Sequence, residues 1–209
     1  MQLCRQLKNL IKINNKYMKK LDFKTAFKYP FNRAKGMWNI LWILLPIFGW
    51  FALGGYGVRI VKEFIKGKFK RLPSFKFKSD LKLGFAMFIK FIPFVVVYSL
   101  LLLGVERVAS FLNIKNQKLL VNLVKVFLEL FIVPILAINF FNKETISSLF
   151  EIEILKSVFT NFDDYAVTLL KSILLSIIFL IMWMVLVGIP AGTFTKNMFL
   201  ADFYRRRVK

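Results

Sequence analysis

The sequence predicts an all-α, polytopic helical membrane protein with four hydrophobic segments, some broken by proline or glycine and able to re-enter, plus interfacial amphipathic helices. Three observations predict it. Hydrophobic residues make up 57% of the 209, and mean hydropathy is +0.60, above the roughly 45–50% apolar content of a soluble domain. The apolar residues gather into four blocks, about 37–57, 84–104, 119–141 and 168–190. Each is near the ~20 residues that a helix needs to cross a bilayer. The charge between the blocks is one-sided: 32 Lys+Arg against 11 Asp+Glu, net +21.

Taken in order, residues 1–36 form a basic amphipathic interfacial region, and 37–209 a helical membrane domain. Within the first, Leu3, Leu7, Leu10, Tyr17 and Leu21 recur at helical spacing, with Lys12, Lys16 and Lys19 largely off that stripe. Such a helix rests in the headgroup plane, apolar face down. Lys8, Lys12 and Lys16 interrupt every run that could serve as a secretory signal. The first hydrophobic block carries Trp38, Trp42 and Trp50, aromatics suited to a membrane interface, and is broken at Pro46. The connector 58–83 begins amphipathic, with Val58, Val61, Phe64 and Ile65 on one face and Arg59, Lys62, Glu63 and Lys66 opposite. The connector 142–167 carries a second stripe, Ile152, Leu155, Val158, Phe159 and Phe162. Each half also ends a broken block with an aromatic residue followed by arginine, at Tyr56–Arg59 and at Tyr204-Arg205, which suggests an internal duplication.

The basic excess calls for an anionic partner. The adjoining hydrophobic blocks decide for anionic membrane lipid over nucleic acid. Lys12, Lys16, Lys19, Arg59, Arg71 and Arg205 are the candidate lipid contacts. A membrane-protein partner or a second copy of the chain is the other partner expected.

The chemistry open to the chain is narrow. It has no histidine and one cysteine, Cys4, which excludes an internal disulfide, Cys/His zinc sites and histidine catalysis. Gly54-Gly55-Tyr56-Gly57 lacks the Thr-Val of a potassium-channel filter and reads as a turn or a close helix contact. Ser172 and Ser176 read as a small packing face, and Asp163-Asp164 as a solvated face. Lys90, Lys125 and Glu129 are the candidate intramembrane polar residues, because charge inside a span is where function is sought first. Glu129 reads either as part of a water-lined path or as a structural partner of Lys125 or Lys90. No catalytic cluster or cofactor motif is present. The expected role is therefore a non-enzymatic lipid- or protein-organising membrane component, with a small transporter or channel subunit built around Glu129 as the alternative.

The run Leu45-Pro46-Ile47, then Gly55-Tyr56, Arg59, Gly67, Leu72-Pro73, Phe75, Asp80 and Gly84, resembles an uncharacterised prokaryotic integral membrane family, domain of unknown function 4013 (DUF4013). Pro134, Phe150, Asn161, Tyr165 and Gly188 extend the resemblance over roughly residues 22–207. Pro46, Gly55, Tyr56, Arg59, Pro73 and Gly84 are its motif residues here. The resemblance implies a multi-pass protein of a prokaryotic cell membrane; it implies neither a reaction nor a ligand.

Charge counting sets the expected topology. Basic residues crowd the segments flanking the first block, whereas the connector after the second block holds only Arg107, Lys115 and Lys118. Cytoplasmic loops carry the excess of Lys and Arg. The bias is strongest if the first and last blocks turn back to their side of origin, with the amino terminus cytoplasmic and only the second and third blocks crossing.

A peptide of residues 3–21 is expected to bind vesicles containing anionic lipid and to release at 1 M salt, where the Debye length falls to roughly 3 Å. Salt-independent binding to neutral vesicles contradicts this reading.

Overall fold

The computed structural model describes residues 20–208, which are helical with no strand among them. The expected helix over 3–21, with Lys12, Lys16 and Lys19, lies almost wholly outside the described residues. The chain runs through α1 (Phe23–Lys28), a 3-10 segment (Trp38–Leu44), α2 (Phe48–Ile65) and α3 (Phe77–Phe111). It continues through α4 (Gln117–Phe127), a π turn (Leu128–Ile132) and α5 (Val133–Lys143). Then come α6 (Glu153–Thr160), α7 (Phe162–Ile181), a 3-10 turn (Met182–Val185), α8 (Gly188–Thr195) and α9 (Met198–Arg207). Three stretches are long and apolar enough to cross a membrane: Phe77–Phe111, Gln117–Lys143 and Phe162–Met184.

The first block is not among those three, because it is two elements. The chain reverses at Leu45–Ile47. Ile47 sits at φ 65° and ψ −69°, the centre of a strained γ-turn in which the Phe48 amide donates to the Pro46 carbonyl at 2.8 Å. The Gly49 amide then donates to Leu45 O at 3.0 Å, and the Trp50 indole to Ile43 O at 3.0 Å. A side chain at Gly49 would overlap the Trp42 carbonyl, so the returning strand of the hairpin fits only because that position is bare. The last block breaks in the same way. Leu186 takes φ 58°, and Gly188 packs against the backbone at Phe179 and Trp183. The two halves therefore share a reversal at a bulky residue followed two positions later by a tightly packed glycine.

α2 and α3 form the most intimate helix pair. They cross where Gly55 meets Gly84: a Cβ on either would overlap backbone of the other helix, the Asp80 carbonyl for Gly55 and the Phe51 carbonyl for Gly84. Small residues at a crossing let backbones touch. Phe51 packs edge-on against Phe85 and Phe88, with centroids at 5.4 and 5.3 Å. α2 thus starts level with the third turn of α3, and α3 runs on for 23 more residues, about 35 Å at 1.5 Å per residue.

One end of the molecule gathers the connectors. Asn32 bonds to Lys70 O, Arg33 to Leu72 O, and the Tyr56 hydroxyl to Pro73 O. Lys62 pairs with Glu144, Lys20 with Asp164, and Arg206 with both Asp164 and Asp202. The core lies here, built from Tyr29, Tyr56, Phe64, Ile135, Ile138, Tyr165, Phe179 and Phe203. Val61, Phe64 and Ile65 are buried in it and Val58 in a smaller cluster with Met87, Phe140 and Leu149, so the face that their helical spacing predicts is buried.

Two expected amphipathic details change. In the 142–167 connector the buried pair is Ile154 and Val158, while Ile152, Phe159 and Phe162 are exposed. Ile154 and Val158 lie one turn apart on the face of α6 that meets the core, which leaves Ile152 and Phe159 off it, and Phe162 follows the break at Asn161, where α7 begins a new phase. Ser176 is exposed, and both serine hydroxyls bond back into their own helix, Ser172 to Thr168 O and Ser176 to Ser172 O.

The α3–α4 hairpin beyond Phe94, which still packs on Phe150, stands apart from this body. Val95, Val96, Leu100, Leu103, Leu119, Leu123, Val126 and Phe127 are all exposed, and the apolar window of α3 has none of its residues buried. Its tip turns at Asn113, φ 51°, a conformation that asparagine tolerates better than most residues.

Gly84→Ala is expected to destabilise the protein by about 1–3 kcal/mol, the usual cost of forcing atoms into a filled space. Gly54→Ala, whose new methyl meets nothing within 4 Å, should be neutral or gain up to about 1 kcal/mol. Thermal unfolding in detergent checks the order; equal midpoints for the two variants contradict the crossing.

Candidate functional site

Three helices that meet at the body leave an apolar cleft between them. α2 supplies Trp50, Phe51, Gly54 and Val58; α3 supplies Gly84, Met87, Phe88 and Phe91; α5 supplies Ala137, Phe140 and Phe141. Its volume is about 660 Å³, within the ~300–1,000 Å³ typical of small-molecule sites. The cleft exists because the α2 wall has no side chain at Gly54, where a Cβ would meet open space. A second recess of about 450 Å³ continues round the same helix face, past Gly54 and Gly57, to Ile40, Ile43, Ile189, Thr193 and Phe194. Trp50, Gly54, Val58 and Phe141 line both.

Close to the cleft residues in sequence, each of the three helices carries a charged residue, and the three converge. Lys62 lies four residues after Val58 on α2 and pairs with the Glu144 carboxylate. Lys90 precedes Phe91 on α3 and donates to the Glu144 carbonyl at 2.8 Å. Glu144 caps α5 in the left-handed region at φ 55°, which turns the chain so that both lysines reach one residue. Two ammonium groups meet at Glu144, one on its carboxylate and one on its carbonyl, so this rim, adjoining the cleft residues Phe91 and Phe141, keeps an excess of positive charge. The arrangement can take an apolar chain with an anionic head.

The family-type motif residues converge next to this site. Arg59 donates to Asp80 Oδ2 at 2.7 Å and to Ser74 O at 2.6 Å, and its guanidinium lies 5.5 Å from the Tyr56 ring centroid. Asp80, buried, also accepts from the Lys76 amide at 2.7 Å. Tyr56 is fixed by its bond to Pro73 O at 2.9 Å. These residues hold the α2–α3 connector against the helix crossing.

The other sequence candidates divide. Arg71 is exposed. Arg59 is engaged with Asp80, and Arg205 pairs with Asp202 at 2.6 Å and lies 5.3 Å from the Phe69 ring centroid. Lys90 belongs to the rim. Lys125 and Glu129 lie far from it on the α3–α4 hairpin, 3.9 Å apart, with the Tyr98 hydroxyl 3.2 Å from the same carboxylate.

Asp163-Asp164 is not uniformly the solvated face expected. Asp163 is exposed, but Asp164 has a side chain only 9% exposed and receives Lys20, Arg206 and Arg207 at 2.7–2.9 Å. Arg206, 5% exposed, bridges it to Asp202, which also accepts the Leu21 amide. Sequence reasoning missed this ion chain because its members are up to 181 residues apart. A carboxylate at Asn-Phe-Asp-Asp opening an apolar helix, with three consecutive arginines elsewhere, was the available signal. A third polar group lies beside it. Asn139 donates to Ser148 O and Glu151, and accepts from the Tyr204 hydroxyl at 2.6 Å. The hydrogen bond from Lys143 holds the Glu151 carboxyl below its ordinary pKa. Among the described residues no group of three or more Cys, Asp or Glu could hold a metal ion.

Comparison with the curated proteins and with the solved structures gives no match. A model of the family described as "Protein of unknown function (DUF4013)" matches residues 39–188, which takes in α2 through α7 and the hairpin before α2. With most of its length matched, the chain belongs to the DUF4013 family.

Proposed function

We propose that this chain is a non-enzymatic membrane protein that binds an anionic phospholipid, with an acyl chain in the α2–α3–α5 cleft and its phosphate at the Lys62–Lys90 rim. The observation that carries the reading is the convergence of two lysines on Glu144, beside Phe91 and Phe141 of one apolar slot. Burial of an acyl chain contributes on the order of 0.8 kcal/mol per methylene. Each lysine near an anionic headgroup contributes about 1 kcal/mol. The two terms act on different parts of one lipid, so the site selects by headgroup and retains by chain.

The bilayer position follows the same reading. α3 and the α4–α5 rod cross; the reversals at Leu45–Ile47 and Leu186 keep the first and last blocks on the side where they begin. The side chains around the first reversal, Trp38, Trp42 and Trp50, suit the headgroup level. The connectors join one another at that end, and the tip with Lys115 and Lys118 stands opposite. The protein then belongs in a prokaryotic cell membrane with its basic end cytoplasmic. A transport role around Glu129 has less support, because neither apolar cleft reaches that carboxylate.

Native mass spectrometry of protein released from its own membrane tests the site. The parent is expected to retain an anionic phospholipid. Gly54→Leu, whose Cβ meets open space in the slot, should lower retention about tenfold. Lys62→Gln with Lys90→Gln should keep a lipid but lose the preference for anionic over zwitterionic headgroups. An unchanged lipid complement in both variants contradicts the site.

A further inference from the structure

We infer that two copies of this chain associate inside the bilayer through the face of α4 that carries Asn122, Lys125 and Glu129. The inference rests on the reading that α3 and α4 cross the membrane, and it is independent of the lipid cleft.

α4 has three faces. Leu120, Val124 and Leu128 are half-buried, and the helix they turn towards is α3. Leu119, Leu123 and Val126 are exposed and apolar, as a lipid-facing surface requires. The remaining face is exposed and polar: Asn122, Lys125 and Glu129, spaced three and four residues apart, so that they stack on one side of the helix. Lys125 and Glu129 each leave half of their side chain exposed. Their own pairing is loose at 3.9 Å, and the Tyr98 hydroxyl meets Glu129 at 3.2 Å from the edge of the α3–α4 seam.

Ionisable groups inside a membrane face protein or water and not lipid. Nothing in this chain's described residues covers the stripe, and its chemistry says what does. The face is self-complementary, with an amide, then a cation, then an anion one turn further along. Two copies inserted in the same orientation about a two-fold axis parallel to the bilayer normal keep equal depths. Asn122 then faces Asn122 of the second copy, whose amide can both donate and accept. Lys125 of each copy reaches Glu129 of the other across one helical turn, about 6 Å of rise that a lysine side chain spans. Such a contact is isologous and closes at two. The π turn Leu128–Ile132 supports the same placement. It lies just ahead of Pro134, which has no amide to donate. It widens the helix at Glu129, a distortion that recurs at functional positions.

The test uses the full chain in its native membrane, with Cys4→Ser as background and single cysteines at Asn122 and at Leu123 under mild oxidation. Asn122→Cys is expected to give a product at twice the 24.5 kDa chain mass. Leu123→Cys, on the lipid-facing side, is expected to give at least tenfold less. Adding Lys125→Glu should abolish the Asn122→Cys product, and adding Glu129→Lys to that variant should restore it. Equal cross-linking at the two positions, or a product of any other mass, overturns the inference. So does an Asn122→Cys chain that stays monomeric and reacts fully with a water-soluble thiol reagent, because the stripe is then a water path. An Asn116→Cys chain labelled from the side opposite Lys28→Cys confirms separately that the hairpin crosses. A failed cross-link is thereby distinguished from a failed topology.

Discussion

Arg206 is the residue on which the arrangement of this chain depends. Its guanidinium is almost wholly enclosed and lies between two carboxylates, Asp202 Oδ2 at 2.8 Å and Asp164 Oδ2 at 2.7 Å. Leaving a buried charge without its partner typically costs about 3–5 kcal/mol, so the C-terminal helix and the start of α7 stay together. Lys20 and Arg207 join at Asp164, and the Leu21 amide at Asp202. The start of the described chain, the α6–α7 junction and the end of α9 are therefore fixed at one place. Asn142 and Tyr204 bring in the end of α5, and Lys62 with Glu144 ties α5 to α2. A hydrophobic block that begins and ends in this lattice has to turn round.

The two reversals answer that demand with the same local device. Each sets a bulky residue at positive φ, Ile47 or Leu186, which costs about 1–3 kcal/mol. Each then uses glycine to let the returning helix lie directly on the backbone it left. The Gly55–Gly84 crossing works to the same end, since it brings α2 down onto α3 within three turns of the connector. What is left outside the body is the α3–α4 hairpin beyond Phe94, about 26 Å of helix, most of the ~30 Å of a hydrocarbon core. The lattice, the reversals and the free hairpin are thus one design, in which polar groups gather at one end and apolar helices leave it.

The sequence made part of this legible. Hydrophobic clustering marked the spanning candidates, and the spacing of Val58, Val61, Phe64 and Ile65 named a face that is buried. Pro46 marked where the first block breaks, because proline acts locally. The motif residues Gly55, Tyr56, Arg59, Pro73, Asp80 and Gly84 were recognisable as a set before their purpose was; in space they form one junction. What composition and periodicity could not carry is partner choice at long range. Asp164 and Arg206 are 42 residues apart, and nothing local distinguishes Asp164 from the exposed Asp163 beside it. The phase of the 142–167 stripe was lost for a related reason, since distant packing decides that Ile154 and Val158 turn inward in α6, and the break at Asn161 shifts the phase only for Phe162 onward. The cleft was hidden too, because it is made by what Gly54 lacks.

The central claim is that the described connectors, apart from the 112–116 tip, share one side of the membrane. It is tested most directly with single cysteines at Lys28, Lys78 and Asn116 in a Cys4→Ser background, treated with an impermeant thiol reagent on whole cells and again after permeabilisation. The account predicts that positions 28 and 78 react alike, only after permeabilisation, and that position 116 reacts from outside. Labelling of positions 28 and 78 from opposite sides would mean that the first block crosses, and would contradict it.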